Sequence, residues 1–469
     1  MRPAGWKVAT MQVPATTDPG AVLPVAGRPT SRRGPRVIQI LVQVGLLLLA
    51  GLAGVLAFTL DLGPSRMAVA RDLLGTAWTW VLWPGVLMAL LVTVSSVWRV
   101  LLWLAYRPVP AARDEELPAV TVVVPAFNEG AVAAECLRSV LASDYPADRL
   151  KVVAVDDGSR DDTLAWLRAA AAGDPARAKV LAQPRNRGKR HALFRAMQQA
   201  DTPVIVTVDS DTLLPPGSLR ALVTPLADPR IGAVAGRIEV LNRDQNLLTR
   251  MLGVRYRYGF DFVRAYQSGL RSVFVCPGAF TAYRADAIRD YLPAWRSERF
   301  LGRECRNGDD HALTNRMLAQ GLATVYQSGA VARTRVPSTY AGLSRMYLRW
   351  ARSNVRESLR YLSFAPRLLA RPGRWPALVD AMTLILQIPL RLYLLPLSWL
   401  AVLVSPGVLV PAVAAALSLS LLPVAAVAWS ERTLEASWGV LYAVFSLLTL
   451  QWIYPVAALT VRSNRWLTR

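Results

Sequence analysis

Two aspartates in the middle of the chain, Asp209 and Asp211, directly follow a short apolar run. Residues 204–208 (Val-Ile-Val-Thr-Val) are β-branched and uncharged, which predicts a buried strand. Ligands of open α/β sheets bind at the carboxyl ends of the strands, so both carboxylates are expected to face a ligand. Two carboxylates on a tight turn can hold Mg²⁺ or Mn²⁺ while phosphate oxygens fill the remaining coordination positions. An Asx turn without a ligand is the alternative, which residues elsewhere in the chain must decide.

The segments around this turn predict a sheet that can position it. Strand patterns occur at residues 120–124, 151–155, 179–182 and 204–208, and helical segments at 131–143, 161–171 and up to 199 lie between them. This alternation predicts an α/β fold of the Rossmann-like type, with a mostly parallel sheet covered by helices on both faces. Three of these strands end in polar or acidic turns, which favours one shared nucleotide site over unrelated surface loops.

Long apolar stretches near both ends of the chain predict a membrane protein. The 469 residues are 53% hydrophobic, and uncharged stretches long enough to cross a bilayer occur at 37–60, 75–98, 392–430 and 436–461. We therefore expect a multi-pass protein with one water-facing domain between two helical blocks. Its predicted parts are a disordered basic tail (1–36), two transmembrane helices (37–106), the large domain (107–338), amphipathic interfacial helices (339–376) and a C-terminal transmembrane block (377–469).

The formal net charge of +22 makes nucleic acid a partner to consider. No nucleic-acid-binding module is visible in the sequence, and arginines cluster beside the predicted membrane segments, so we expect no nucleic-acid partner. The positive-inside bias instead places the large domain in the cytosol, at the cell membrane and in contact with the lipid bilayer. The cysteines, Cys136, Cys276 and Cys305, show no metal-ligand spacing, which favours a reduced compartment.

Three motifs in the large domain carry a resemblance to a known family. Residues 124–129 (Val-Pro-Ala-Phe-Asn-Glu), 155–159 (Val-Asp-Asp-Gly-Ser) and 209–211 (Asp-Ser-Asp), in this order, resemble the donor half of family 2 glycosyltransferases with the GT-A fold. The resemblance implies that the nucleotide contacts Pro125, Asn128, Glu129, Asp156 and Asp157. It also implies that Asp209 and Asp211 bind the metal on the donor diphosphate.

The second half of the large domain narrows this resemblance. Residues 186–192 (Asn-Arg-Gly-Lys-Arg-His-Ala), 308–315 (Gly-Asp-Asp-His-Ala-Leu-Thr-Asn) and 349–358 (Arg-Trp-Ala-Arg-Ser-Asn-Val-Arg-Glu-Ser) resemble membrane-bound, processive synthases of β-linked polysaccharides. The pattern is most similar to hyaluronan synthases and next to chitin and chito-oligosaccharide synthases. Two departures leave the sugar specificity open. Met346 stands where the family has Gln, and residues 277–279 (Pro-Gly-Ala) replace Ser-Gly-Pro.

This resemblance implies an inverting β-glycosyltransferase that polymerises UDP-sugars and translocates the growing glycan. The first expectation is hyaluronan made from UDP-N-acetylglucosamine (UDP-GlcNAc) and UDP-glucuronate (UDP-GlcA). A chitin-like or other N-acetylglucosamine polymer or oligosaccharide is the second, and a non-processive lipid glycosyltransferase is the third. A transporter or scaffold with an inactive transferase domain is the alternative of another class, against which the intact acidic motifs argue.

The same resemblance assigns the catalytic base to Asp310, with Asp309 beside it. A helix N-terminal cap is the alternative for this acidic pair. Arg349 is expected to bind the donor diphosphate and Trp350 to form a flat floor under the acceptor sugar. A basic helix on anionic lipid is the alternative for this segment. Lys189 and Arg190 are expected at the donor, and Cys276 and Gly278 at the acceptor pocket.

Two features of the C-terminal block stay open at this point. Arg391 is a charge inside an apolar stretch, where it either lines a conduit for the glycan or extends to the membrane interface. A simple crossing of residues 436–461 would place Arg462 outside, against the positive-inside bias. We therefore expect Pro455 to break this segment into a re-entrant or hairpin segment.

Overall fold

A computed structural model describes residues 78–404 and 434–463, together with single positions at 72, 75, 413, 417, 421, 424, 425 and 428. The predicted disordered tail (1–36) and the first predicted transmembrane helix (37–60) lie outside the described residues. Residues 464–469 and most of 405–433 also lie outside them.

The strands of the large domain form one main sheet and one short hairpin. The strands are β1 (Val120–Ala126), β2 (Leu150–Asp156), β3 (Ala178–Ala182), β4 (Val204–Val208), β5 (Thr212–Leu213), β6 (Ile231–Val240), β7 (Phe280–Arg284), β8 (Arg299–Phe300), β9 (Arg303–Glu304) and β10 (Ala323–Thr334). The main sheet has the order β3-β2-β1-β4-β7-β6-β10-β5, and β8 pairs with β9. Strands β1 and β4 are valine-rich and buried along their whole length, as strands covered on both faces must be.

The main sheet is mixed rather than uniformly parallel. Strands β3, β2, β1 and β4 are parallel neighbours, which agrees with the predicted Rossmann-like half. Strand β7 then runs antiparallel to both β4 and β6, while β6 and β10 pair in parallel and β5 closes the edge antiparallel to β10. The mixed half brings β5 and β10 beside the turn that follows β4.

Helices cover both faces of this sheet and continue into the apolar regions. They are α1 (Trp78–Ala105), α2 (Ala131–Leu141), α3 (Thr163–Ala172), α4 (Lys189–Met197), α5 (Ser218–Val223), α6 (Leu247–Arg257), a π-helix (Tyr258–Arg264), α7 (Ala265–Gly269), α8 (Ala285–Arg289), α9 (Leu292–Arg296), α10 (Asp309–Gln320), α11 (Tyr340–Leu369), α12 (Trp375–Val404), α13 (Trp438–Thr449) and α14 (Ile453–Leu459). Short 3₁₀ turns lie at Asp114–Glu116, Ala147–Arg149, Thr224–Ala227 and Leu434–Ser437.

The long helix α11 connects the large domain to the apolar helices. The hydroxyl of Thr339 caps its start by accepting a hydrogen bond from the backbone N–H of Gly342 at 3.2 Å. The helix packs against α10 on one side and α14 on the other. Arg352 and Arg356, expected on a lipid-facing basic surface, are buried in these contacts. The arginines that recur at helical spacing along α11 therefore include two that pack against other helices, besides those that lie on its surface.

The apolar helices only partly match the predicted membrane spans. Within the described residues, one helical stretch, Trp375–Leu397 of α12, is long and apolar enough to cross a bilayer. Helices α13 and α14 pass the same test together, although they are bent by 49° at the break between them. That break falls at residues 450–452, ahead of Pro455, which lies inside α14. The predicted interruption of residues 436–461 is thus present at a different position.

Candidate active site

A large cleft lies at the carboxyl ends of β1 and β4, with a volume of about 1490 Å³. Most of the predicted donor-site residues line it, namely Pro125, Asn128, Glu129, Asp157, Lys189, Asp209, Asp211 and Arg349. These residues come from segments that are up to 224 positions apart in the chain, from Pro125 to Arg349. The topology brings them together because the parallel strands all end at the same edge of the sheet.

The turn between β4 and β5 presents the two predicted metal ligands to this cleft. Asp209 and Asp211 are both partly exposed, and the ammonium of Lys189 forms an ion pair with Oδ1 of Asp209. The hydroxyl of Thr334 donates to Oδ1 of Asp211 at 3.2 Å. Two carboxylates in an open cleft are the oxygen donors that Mg²⁺ or Mn²⁺ prefers. In the described part of the chain no cluster of three His, Cys, Asp or Glu side chains could complete such a site, so other oxygens would be needed.

The loop after β1 forms the neighbouring wall of the cleft. Asn128 has a left-handed backbone (φ 53°), which Asn tolerates better than most residues. Its backbone N–H donates to Oγ of Ser159 at 3.0 Å, and its side-chain oxygen accepts from the N–H of Arg160 at 2.9 Å. The next residue, Glu129, is fixed by its backbone N–H, which donates to the hydroxyl of Thr163 at 2.9 Å. The first two motifs of the sequence therefore hold each other in place.

Asp156 and Asp157 follow β2 and have different environments. Asp157 accepts hydrogen bonds from Gln183 and from the backbone N–H groups of Arg187 and Gly188 at 2.8–2.9 Å. Burial raises the pKa of its carboxyl, although these backbone donors oppose the shift. Asp156 is buried, accepts a hydrogen bond from the N–H of Ser159 at 3.2 Å, and does not line the cleft. Asp157 therefore shapes the loop that leads to Lys189.

The predicted base, Asp310, lies in the first turn of α10. Its Oδ2 accepts from the backbone N–H of Gly278 at 3.0 Å and its Oδ1 from the N–H of His311 at 2.8 Å. A Cβ placed on Gly278 would lie 3.4 Å from Nζ of Lys189 and 3.5 Å from Cβ of Asp310. Lys189 and Asp310 therefore approach each other across Gly278, which joins the base to the side of the cleft that holds the Lys189–Asp209 pair.

Asp309 and Arg190 lie behind this surface. Arg190 is only 2% exposed; its Nη1 donates to Glu298 at 2.6 Å and its guanidinium stacks on the ring of Trp295. Its Nε lies 3.6 Å from Oδ1 of Asp309, which is also buried. Burial raises the pKa of the Asp309 carboxyl, while Arg190 opposes that shift. Neither side chain lines the cleft, and both instead support the start of α10.

A row of buried charges extends from Arg190 to helix α11. Glu298 also pairs with Arg360 at 2.5 Å, and Arg360 pairs with the fully buried Glu357 at 2.8 Å. Burial alone would raise the pKa of Glu298, but Arg190 and Arg360 hold it below its usual range. These pairs connect α4, α9, α10 and α11, so the base and the predicted acceptor helix share one rigid support.

Two of the expected acceptor residues, Trp350 and Cys276, and the departure from the family pattern at Met346 lie in three different environments. Trp350 is 45% exposed and packs beside Tyr256 and Tyr347, with ring centroids 6.4 and 5.6 Å away. The buried Met346, one turn earlier on α11, lines the cleft where the family pattern has Gln. Cys276 is fully buried, and burial raises the pKa of its thiol to about 12. Cys276 therefore packs behind the cleft wall as a neutral thiol.

Several cleft residues were not identified from the sequence. Six arginines line it besides Arg349, namely Arg160, Arg303, Arg306, Arg335, Arg345 and Arg462. Of these six, only Arg345 belongs to a pattern visible in the sequence, the arginines that recur at about helical spacing along α11. Thr460, Arg462 and Ser463 at the end of α14 also reach the cleft. Residues 460–463 thus lie on the same side as the large domain, as the positive-inside bias required for Arg462.

Comparisons with known proteins agree with this fold and cleft. Residues 118–353 match a family described as "Glycosyltransferase like family 2". An N-acetylglucosaminyltransferase of Azorhizobium caulinodans is 30% identical over 388 residues, which cover 81% of this chain and 96% of that protein. A second N-acetylglucosaminyltransferase, from Mesorhizobium japonicum, is 36% identical over 277 residues, covering 58% of this chain. The match spans 65% of that relative, slightly less than two thirds of its length.

A solved structure shares the architecture of this chain. The mannosyltransferase PcManGT from Pyrobaculum calidifontis, in complex with GDP-Man and Mn²⁺, has a TM-score of 0.54 and 22% sequence identity, covering 81% of this chain and 99% of its own. Together with the mixed sheet, this likeness defines a GT-A fold. With the matched residues 118–353, the chain belongs to glycosyltransferase family 2.

Proposed function

We propose that this chain transfers N-acetylglucosamine from UDP-GlcNAc to a growing β-linked glycan, giving a chitin-like polymer or oligosaccharide. The observation that carries the proposal is the similarity over 96% of the length of a relative named N-acetylglucosaminyltransferase. The sequence alone favoured hyaluronan, but the names of these relatives support N-acetylglucosamine and give no support to glucuronate. The chitin-like alternative is therefore the stronger account of this chain.

The cleft suggests how the acceptor hydroxyl would react. Asp310 would take the proton of the acceptor hydroxyl while the hydroxyl oxygen forms a bond to the anomeric carbon of the donor sugar. The bond from that carbon to the diphosphate oxygen breaks on the opposite side, which inverts the anomeric centre. Asp310 and Gly278 do not themselves line the cleft, but the N–H of Gly278 binds Oδ2 of Asp310 and Gly278 lies beside the cleft residue Lys189, which supports this role. Lys189, beside Gly278, would hold the donor close to the base.

The leaving diphosphate needs positive charge on the other side of the cleft. Arg349 would supply two parallel donors to the phosphate oxygens, for which a planar guanidinium is suited. Asp209 and Asp211 would hold Mg²⁺ or Mn²⁺, which would neutralise the charge that develops on the leaving group. The complex of the mannosyltransferase with GDP-Man and Mn²⁺ supports a divalent ion with this fold. Lys189 forms an ion pair with Asp209 in this structure. On donor binding, its ammonium would move to the diphosphate.

The apolar helices beside the domain support a position at the membrane. Helix α12 and the α13–α14 pair would anchor the chain, with the cleft in the cytosol where nucleotide sugars are present. Trp350 follows Arg349 directly and would carry the acceptor sugar on its exposed ring. The proposal thus places the donor at the sheet edge and the acceptor on the membrane side of α11.

A donor panel tests this function. Purified protein in detergent with Mn²⁺ or Mg²⁺ would receive radiolabelled UDP-GlcNAc alone, UDP-GlcA alone, or both. We expect polymer or oligosaccharide from UDP-GlcNAc alone, sensitive to chitinase, and no increase on adding UDP-GlcA. Product that forms only with both donors and is cut by hyaluronidase would instead establish the hyaluronan alternative.

A further inference from the structure

A second cavity lies away from the donor cleft, beside the apolar helices. It has a volume of about 510 Å³ and is bounded by α1, the segment from α6 to α7, and α12. We call it the arginine chamber, since the guanidinium groups of Arg99, Arg255, Arg264 and Arg391 line it. Its other walls include apolar and aromatic side chains, among them Trp103 and Phe262.

Only one of the four arginines has an acidic partner. Arg99 on α1 donates from Nε to Oδ1 of Asp380 on α12 at 2.8 Å, and its charge is thereby neutralised. Within the described residues, no carboxylate pairs with Arg255, Arg264 or Arg391. Arg391 binds only the side-chain amide oxygen of Gln387, at 3.2 Å. The described residues therefore leave a net positive charge in the chamber uncompensated.

Two of the arginines without a carboxylate partner, Arg255 and Arg264, converge beside Gly259 of the π-helix. A Cβ placed on Gly259 would lie 3.2 Å from Nη1 of Arg255 and 3.5 Å from Nη1 of Arg264. Arg264 also stacks on the ring of Phe260 at 4.9 Å and donates to the carbonyl of Gly259 at 2.9 Å, which fixes its direction. Burial and the adjacent Arg255 lower the pKa of Arg264 to about 10, so it remains charged at neutral pH. Converging like charges of this kind are stable when an anion lies between them.

The surroundings of the chamber favour a lipid as the source of that anion. The N-acetylglucosamine chain of the proposed function is neutral, so on that proposal the glycan offers no charge to three arginines. The chamber lies next to exposed apolar side chains of the helices that bound it, including Leu101 and Leu104 on α1 and Leu386 on α12. Basic pockets between membrane helices on the cytoplasmic side are suited to the headgroups of acidic lipids.

We propose that the arginine chamber binds the phosphate of an acidic phospholipid, with Arg255, Arg264 and Arg391 as its ligands. The acyl chains of the lipid lie along the exposed apolar faces of α1 and α12. Guanidinium groups bind phosphate through paired donors. This site is separate from the donor cleft and shares none of its lining residues.

Lipid titration of the full chain tests the proposal. Delipidated protein in neutral detergent would be titrated with phosphatidylglycerol or phosphatidylcholine of the same acyl chains, with bound lipid counted by native mass spectrometry. We expect preferential binding of phosphatidylglycerol, weakened by about fivefold for each arginine replaced in Arg264→Gln and Arg391→Gln. Arg264→Lys and Arg391→Lys keep the charge and should retain most of the preference. The matched control, Arg168→Gln with Arg367→Gln, removes two exposed charges outside the chamber and should bind as the unmodified chain does.

Three outcomes would overturn the lipid assignment. The first is equal binding of both lipids, and the second is an unchanged preference in the Arg391→Gln variant, which replaces an exposed side chain. The third is displacement of phosphatidylglycerol by an equal concentration of inorganic phosphate, which would define a site for free phosphate. These titrations contain no UDP-sugar, so their result is independent of the donor panel. Glucuronate in the product would overturn the proposed function and remove the argument from a neutral glycan, whereas the lipid titration would still decide whether the chamber binds phosphatidylglycerol.

Discussion

The ring of Trp350 is the most exposed aromatic surface close to the proposed reaction site. We expect Trp350→Ala to raise the KM for an oligosaccharide acceptor by about tenfold, because the acceptor sugar loses its stacking contact with the indole ring. Binding of UDP-GlcNAc should change little, since Trp350 lies outside the donor cleft. Acceptor kinetics with chitin oligosaccharides measure this effect, and Trp350→Phe should restore most of it.

A matched surface tryptophan controls this experiment. Trp166 on α3 is 38% exposed and does not line the cleft, so Trp166→Ala should leave acceptor kinetics unchanged. Equal losses in both variants would mean that Trp350 acts through general stability rather than through the acceptor.

At this scale, residue type and strand position predicted the cleft, whereas side-chain direction on a helix was not predictable. Lys189 and Arg190 are adjacent at the start of α4, yet one faces Asp209 and the other is buried against Trp295. Adjacent helical positions point about 100° apart, so only one of two neighbouring cations can face a given cleft. Cys276 was expected in the acceptor pocket because of the family resemblance. Its burial depends on packing contacts that a motif does not record.

The close contact between α10 and α11 is made possible by Gly308. It precedes α10 with φ +77°, and a Cβ there would overlap Oγ of Ser353 on α11. Gly308→Ala should therefore destabilise the fold by about 3 kcal/mol, combining backbone strain with displacement of α11. It should also lower the rate of sugar transfer, because Asp310 follows two positions later. Thermal unfolding and transfer assays on the same preparations measure both effects.

Gly302 provides a control for backbone strain alone. It has φ +79° in the β8–β9 turn, but a Cβ there would meet no atom within 4 Å. Gly302→Ala should therefore cost about 1 kcal/mol and leave the position of α10 unaffected. A Gly308→Ala variant as stable as Gly302→Ala would contradict the close contact of the two helices.

The elements themselves were only partly predictable. Valine-rich runs identified β1 and β4, and the alternation with helices indicated their parallel order. The insertion of β7 between β4 and β6 was not predictable, since a strand pattern carries no information about direction or partner. The same holds for β10, whose Thr334 hydroxyl reaches Asp211 across the sheet edge.

For the whole molecule, one buried ion pair joins the helices on either side of the large domain. Arg99 on α1 and Asp380 on α12 are 281 positions apart and meet at 2.7 Å. Asp380→Leu would leave the largely buried Arg99 without its acidic partner, with only the Thr383 hydroxyl to accept its hydrogen bond, and should destabilise the protein by about 3 kcal/mol. The double variant Arg99→Leu with Asp380→Leu should recover much of this loss, because no unpaired charge remains. Thermal unfolding in detergent measures both.

An exposed pair gives the comparison for this prediction. Lys151 and Asp201 also meet at 2.7 Å but are both exposed, so Asp201→Leu should shift the unfolding midpoint little. Similar midpoints for Asp380→Leu and Asp201→Leu would show that the α1–α12 pair is not a structural link.

Long-range pairings of this kind explain what the sequence left undetermined at the scale of the molecule. Apolar stretches indicated helices near both ends, but not that Asp380 would find Arg99. Nor did they indicate that Arg462, after the last helix, would return to the donor cleft. Both depend on how separate helices pack, which periodicity within one helix does not encode.

The role of Asp310 as base is the central claim of this account. Asp310→Asn keeps the size of the side chain and one of the two oxygens that accept from Gly278 and His311, but removes its ability to accept a proton, so transfer of N-acetylglucosamine should fall by about 10³-fold. The dissociation constant for UDP-GlcNAc, measured by calorimetry on the same protein, should stay within about twofold of that for the unmodified chain, since Asp310 is assigned no donor contact. Asp286→Asn, an exposed carboxylate on α8, is the control that should leave both values unchanged. Polymer synthesis by Asp310→Asn at a rate close to that of the unmodified chain would contradict the assignment of the base.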